Sequence, residues 1–197
     1  MRPTYPSERL RTRLAPIGVT DFFRIFPARY AATPLGIAPA SSRFSDPGLV
    51  YPVLYGARSI GCALWEAVLR DRFARTARRR IAAAELSGKV VARISSTEPL
   101  MLLDLRGDAP VRLGSPTAVV RDRRHRAGQA LSRDLYHGVP EADGVLYHSR
   151  FTDEPCVAVF DRGLTRLRAT DAVPLVEQTG TLDALDDFGI EISTEAR

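Results

Sequence analysis

The sequence predicts an α+β fold. Short β-branched or aromatic segments bounded by Gly, Pro, Asp or Ser recur along the chain. Helical patterns are fewer. The two kinds do not alternate in the way a doubly wound sheet requires. The chain has 197 residues, enough for one domain with a real core. No internal repeat, low-complexity tract or linker interrupts it. The expected division is an irregular arm over residues 1–20 and one domain over 21–197.

The first strand expected is "DFFRIF" at 21–26. Alternation places Phe23 and Ile25 on one face and Phe22, Arg24 and Phe26 on the other. An arginine between aromatic residues suits bidentate recognition of phosphate or carboxylate. It also suits a sheet edge, where the stem covers apolar surface. Residues 27–48, "PARYAATPLGIAPASSRFSDPG", have no period and read as a long loop. Arg43 sits there among turn-forming Ser, Asp, Pro and Gly, where ligand groups often lie. "LVYPVLY" at 49–55 reads as a strand ending at Tyr55, with Gly56 as the break. A tyrosine at a strand end is either a core aromatic or a ring that stacks on a planar ligand.

A helix is expected from Ser59, its N-cap. Ile60, Ala63, Leu64, Ala67 and Val68 form a buried stripe at i, i+3, i+4 spacing. Glu66 points away from that stripe, yet Cys62, Leu69 and Phe73 lie on its own side. A carboxylate there calls for a raised pKa or a cation beside it. Spacing alone also allows an i, i+4 pair with Arg70. Strands follow at "KVVARI" (89–94) and "LMLLDL" (100–105), then a helix over Arg126–Tyr136. After an Asp143-Gly144 turn, "GVLYHSRF" (144–151) reads as a strand with Val145, Tyr147, Ser149 and Phe151 on one face. Ser149 lacks the GxSxG setting of a nucleophile, and His148 points the other way, so Ser149 reads as a binding group. "PCVAVF" (155–160) and "VPLVE" (173–177) complete the strands, and a weaker helix covers Thr181–Phe188.

The composition narrows the function. Hydrophobic residues make up 45% and charged residues 26%, as in ordinary globular chains. No apolar run reaches the roughly 18 residues of a membrane span. The first residues, "MRPTYPSERLRTRL", lack the apolar core of a secretory signal. Cys62 and Cys156 lie in apolar runs and read as small core residues in a reducing compartment, so the expected location is the cytoplasm. No Cys/His spacing suits a metal, and no P-loop or GxGxxG is present. The formal net charge of +5 concentrates in Arg70–Arg80 and Arg121–Arg126. Such runs serve a nucleic acid, an acidic protein, an anionic ligand or simply a solvated face. His125 and His137 read as surface residues.

Four strings in order resemble the RES domain family, the toxins of Xre–RES toxin–antitoxin modules. They are "FFRI" with Arg24, "SRFSDPG" with Arg43, "VLYGARSIGCALWE" with Tyr55 and Glu66, and "DGVLYHSRF" with Ser149 followed by "PCVAVF". The resemblance runs from about Phe22 to Phe160. It implies a single RES-type catalytic domain with an ADP-ribosyltransferase-like core and a central cleft for NAD+. The implied activity is cleavage of the nicotinamide–ribose bond of NAD+, by phosphorolysis with inorganic phosphate or by hydrolysis. The alternative is transfer of ADP-ribose to a protein target. A basic nucleic-acid-binding or RNA-cleaving toxin is the rival from another class. The implied partner is an Xre-type helix-turn-helix antitoxin, with DNA contacted only through it, no membrane and no metal. Within that reading Glu66 stabilises the developing ribose cation, Arg24 and Arg43 hold pyrophosphate or phosphate, Tyr55 stacks on nicotinamide and Ser149 binds its carboxamide or the ribose.

Overall fold

The computed structural model describes residues 4–73, 78–114 and 118–194. Its strands are β1 (Leu14–Ile17), β2 (Phe22–Pro27), β3 (Val53–Ala57), β4 (Arg79–Ala82), β5 (Lys89–Ser96), β6 (Leu100–Asp104), β7 (Gly144–His148), β8 (Pro155–Phe160), β9 (Leu167–Ala169), β10 (Val173–Pro174) and β11 (Ile190–Ser193). Its α-helices are α1 (Ser7–Arg11), α2 (Ile60–Leu64), α3 (Ala83–Ser87), α4 (Ala109–Arg112), α5 (Ala118–Arg121), α6 (Arg126–Gly138) and α7 (Thr181–Asp187). The fold is α+β, as the sparse helices and unordered alternation predict.

A nine-stranded sheet runs β1-β6-β7-β8-β3-β2-β5-β10, with β9 also paired to β5. Among the described residues, β6 and β7 are its one parallel pair. A separate parallel pair, β4 with β11, covers one end. The central strands are buried on both faces, which is why "PCVAVF" reads as a continuous apolar run and not as an alternation. On one face, Leu131 and Leu135 of α6 and Leu10 of α1 pack on Val145, Tyr147, Ala158 and Phe160. On the other, Phe22, Leu54, Ile94, Leu102 and Val157 form a second cluster. A third joins Leu64 and Leu69 to Ile81, Leu86 and Leu185.

Several expectations change. Within the segment expected as an irregular arm, the described residues 4–20 are ordered into the fold: Tyr5 and Leu10 enter the core, and β1 pairs antiparallel with β6. Their apolar content is too sparse to show a period. The strand expected at 49–55 spans Val53–Ala57, so Gly56 lies inside it and does not break it. A Cβ there would sit 2.7 Å from Ile94 Cδ1, which explains the missing side chain. The strand expected over 144–151 stops at His148, and "VPLVE" supplies only the two residues of β10 before a 3₁₀ turn. The N-cap at Ser59 forms as expected, its Oγ accepting from the Cys62 N–H at 3.0 Å. β1, β4, β9 and β11, and helices α1, α3, α4 and α5, escape the pattern reading because each is five residues or shorter.

Candidate functional site

The helix that starts at Ser59 does not remain α. After Leu64 it widens into a π-helical segment, Trp65–Leu69, closed by the Arg70 N–H donating to the Trp65 carbonyl at 2.8 Å. Such segments are rare and concentrate at functional sites. The segment ends at Arg70 with φ 46° and ψ −131°, a left-handed backbone that costs a non-glycine residue free energy. Glu66 lies in the widened turn. The change of period moves it off the 100° wheel, so its surroundings were not calculable from spacing.

Glu66 is half-buried, and its Oε1 accepts a 2.7 Å hydrogen bond from the Ser149 hydroxyl. Ser149 is fully buried in the turn after β7. Its Oγ also accepts from the N–H groups of Phe151 (3.1 Å) and Thr152 (3.4 Å). The hydroxyl is therefore already committed to orienting the carboxylate. The i, i+4 partner Arg70 does not pair with that carboxylate; its Nε donates to the Glu66 backbone carbonyl instead. Among the described residues Glu66 makes no ion pair within 4.0 Å. The nearby cation is Arg43. Burial pulls its guanidinium down from its ordinary value, while Tyr147 and Glu66 act in the opposite direction.

The Arg43 loop is held on both sides of the arginine. The Tyr55 hydroxyl accepts from the Phe44 N–H at 2.9 Å and lies 2.8 Å from Ser42 Oγ. Burial pushes the Tyr55 phenol up to about 12, so it stays protonated and can serve both contacts. Phe44 is fully buried, edge-to-face with Tyr147 at 5.0 Å. From α6, Gln129 Nε2 donates to the Ser42 carbonyl at 3.1 Å and Ser132 Oγ to the Phe44 carbonyl at 2.5 Å. Gly128 lets α6 approach: a Cβ there would lie 2.6 Å from the Arg43 carbonyl oxygen and 2.8 Å from its Cγ. By contrast, among the described residues the Arg43 guanidinium makes one long hydrogen bond, 3.5 Å to the Val119 carbonyl. Its backbone is fixed and its charge is left available.

Arg24 differs from the other expected residues. β2 lies between β3 and β5, so it is not an edge strand. Phe23 pairs with Ala57, which places Phe23 on the Tyr55 face and Arg24 on the opposite one, with Phe22. Its Nε and Nη2 donate to the carbonyls of Pro34 (2.9 Å) and Gly36 (2.8 Å), and its guanidinium lies 5.3 Å from the Phe26 ring centre. Burial alone lowers it to about 10, with no contribution from Glu66. Arg24 borders the cavity, but its side chain works mainly as a staple for the loop at 34–36.

These elements enclose a cavity of about 550 Å³ lined by Arg43, Tyr55, Glu66 and Tyr147, among others. Its wall carries Arg24, Arg43, Arg70, Lys89, Arg123 and Arg150 against the acids Glu66 and Asp71. A cleft this size with mostly positive walls suits an extended anionic ligand of nucleotide dimensions. Asp71 bridges two of the cations: Arg150 at 2.5 Å and Arg123 at 3.4 Å. Arg150 also stacks 4.2 Å over Phe151. His125, expected at the surface, is half-buried on the wall and held below the usual histidine range by burial and by Arg43. His137 is exposed as expected. Sequence reading passed over Gly128, Gln129, Ser132 and Arg150; only the basic run at 121–126 hinted that α6 faces an anion site.

Among the described residues, four of the nine arginines in the two basic runs form ion pairs, one of them the Arg123–Asp71 contact above. Arg72 meets Glu85, Arg80 meets Glu191 and Arg121 meets Asp153. Residues 74–77 of the first run lie outside the described residues.

The comparisons with known proteins agree with this fold. The model of the RES domain family matches residues 21–178. A curated protein of Sinorhizobium fredii (strain NBRC 101917 / NGR234), described as "Probable toxin y4kH", is 36% identical over 113 residues. That match covers 57% of this chain and 89% of the relative. The fold also resembles a chain in the crystal structure of the M. tuberculosis MbcT–MbcA toxin–antitoxin complex, with a TM-score of 0.68 and 19% identity. The superposition covers 86% of this chain and 91% of the other.

Proposed function

The chain belongs to the RES domain family, and on that premise we propose that it is the toxin of a toxin–antitoxin pair and that it cleaves the nicotinamide–ribose bond of NAD+. The observation that carries the reading is the Ser149-held Glu66 carboxylate in a cavity whose other ionic lining is mainly cationic. NAD+ presents both complements. Its pyrophosphate needs cations, and its ribose develops positive charge as nicotinamide leaves. Glu66 stabilises that oxocarbenium-like state, acting on charge that exists only in the transition state. Arg43 takes the pyrophosphate or an incoming phosphate. Tyr55 presents its ring to nicotinamide while its hydroxyl holds the Arg43 loop. Ser149 acts on the ribose through Glu66. Arg24 supports the loop at 34–36 on the other face of β2. No covalent nucleophile and no metal enters this scheme.

The acceptor of the ADP-ribosyl group is phosphate or water. A protein side chain is the alternative, which would make the enzyme an ADP-ribosyltransferase. An Xre-type antitoxin would neutralise the toxin in the cytoplasm by covering the cavity and would make the DNA contacts itself. The toxin–antitoxin complex named for the structural neighbour supports a protein partner. The pairing of Arg72, Arg80, Arg121 and Arg123 with acids takes part of the basic runs out of use by a nucleic acid.

The test is incubation of the purified protein with NAD+, with and without phosphate, followed by identification of the products. Nicotinamide release is expected. ADP-ribose would mark hydrolysis, a phosphorylated ADP-ribose phosphorolysis, and label on protein the transferase reading. Absence of nicotinamide in both buffers, together with RNA cleavage, would move the function to the rival.

Gly128→Ala tests how α6 positions Arg43. The new Cβ must displace the Arg43 backbone. A displacement near 1 Å can cost about 100-fold in rate. NAD+ turnover is expected to fall by at least tenfold while α6, gaining a better helix former, keeps its circular dichroism signal. Parent-like turnover would show that the loop tolerates the shift.

A further inference from the structure

Cys62 and Cys156 have no part in the chemistry above, yet their sulfurs lie 3.4 Å apart. Both are buried, and Cys156 lines the cavity. Cys62 stands on α2, one turn before Glu66, and Cys156 stands on β8 opposite Ala57. The contact belongs to a short series of ties between one helix and one turn-and-strand. Ser59 Oγ donates to Glu154 Oε1 at 2.9 Å, the Cys62 and Cys156 sulfurs touch, and Ser149 Oγ donates to Glu66 Oε1 at 2.7 Å. Whatever moves Cys62 toward β8 acts on the carboxylate four residues further along.

We propose that Cys62 and Cys156 are a thiol pair that a peroxide converts to a disulfide, and that this bond switches off the Glu66 site. The consequence for turnover rests on the function proposed above; formation of the bond does not. A disulfide needs its sulfurs about 2.05 Å apart, so they must close by roughly 1.3 Å. That movement draws the first turn of α2 toward β8 and strains the Ser149–Glu66 contact.

The step balances with hydrogen peroxide as oxidant. The thiolate of one cysteine attacks one peroxide oxygen, the O–O bond breaks, and the hydroxide leaving group takes a proton to become water. The resulting sulfenic acid is attacked by the sulfur of the other cysteine. The S–S bond forms, the S–O bond breaks, and the thiol proton leaves with hydroxide as a second water. Two thiols lose two electrons and one peroxide gains them. Either sulfur can open the reaction as its thiolate, and of the two Cys156 lines the cavity. The cavity gives a small oxidant its route to the pair.

The chain holds two cysteines, so thiol counting is unambiguous. Reduced protein is treated with stoichiometric hydrogen peroxide, then examined by intact mass, thiol titration and NAD+ turnover, before and after dithiothreitol. The expected result is loss of both thiols, a mass lower by two hydrogens, and turnover reduced about tenfold or more, as a misplacement near 1 Å predicts. Dithiothreitol restores all three. Cys62→Ala keeps its reduced turnover and ignores peroxide. Two free thiols after treatment, or a disulfide that leaves turnover unchanged, would overturn the switch. If the reduced parent shows no turnover at all, the proposed function fails, while mass and thiol count still decide whether the bond forms.

Discussion

Glu66→Gln is expected to lower NAD+ turnover by about 10²- to 10³-fold, the range seen when one preorganised electrostatic contact to a transition state is lost. Glutamine keeps the volume and the acceptor oxygen, so the 2.7 Å bond from Ser149 survives and the π-helical turn has no reason to rearrange. What disappears is the negative charge facing the ribose as it becomes cationic. The loss should therefore fall on kcat, with KM for NAD+ little changed or lower, because Glu66 opposes the pyrophosphate in the ground state. The melting temperature should stay within a few degrees of the parent, since the described residues give Glu66 no ion pair to lose. Glu66→Ala removes the acceptor as well and leaves the proton of the buried Ser149 hydroxyl without a partner, while its oxygen keeps the Phe151 and Thr152 N–H groups. It should abolish turnover and cost about 1–3 kcal/mol of stability. Parent-like kcat in the glutamine variant would remove Glu66 from the reaction.

The two variants separate because the environment of Glu66 is only partly legible in the sequence. Spacing shows that the helix from Ser59 is apolar on two sides, with Ala63 and Leu64 on one and Cys62 and Leu69 on the other, but the structure regroups them: Cys62 joins Ala63 in one cluster and Leu64 joins Leu69 in another. Spacing does not show the π turn, because one extra residue per turn leaves no trace in composition. Hence the i, i+4 pair with Arg70 was reasonable on an ideal wheel and is absent on the real one. Ser149 marks a similar limit. Alternation carries it into a strand, but the chain turns after His148, and the Ser149 hydroxyl becomes a local cap that also reaches Glu66. The long loop of 27–48 was visible from its Pro, Ala, Ser and Gly content. What fixes its Arg43 end was not, because the contacts come from the Tyr55 hydroxyl and from α6, whose Gln129 reaches Ser42 across 87 residues of sequence. Arg24 was visible as an arginine on an aromatic strand. Which face it takes depends on the pairing of β2 with β3, which is tertiary information.

Arg43→Ala is expected to raise KM for NAD+ by roughly 30-fold or more, the lower end of the 2–5 kcal/mol lost when one partner of a desolvated charge contact is removed. The prediction turns on how differently the backbone and side chain of this residue are used. The loop is pinned by Tyr55, Gln129 and Ser132 through the neighbouring Ser42 and Phe44, and Phe44 is fully buried. None of those contacts needs the guanidinium. The guanidinium itself makes one 3.5 Å contact with a carbonyl, and burial already disfavours its charge. Removing it should therefore cost little stability or even relieve a desolvation penalty, while leaving an anionic ligand without its central cation. Thermal unfolding and NAD+ kinetics on the same preparation decide the matter. A near-parent melting temperature with a large rise in KM is the expected pair of results. Arg43→Lys should recover part of the binding, since the charge returns without the bidentate fork. A melting temperature that falls in step with activity would instead make Arg43 a structural cation, and the binding role would pass to Arg150, which shares the cavity wall but is already held by Asp71 at 2.5 Å.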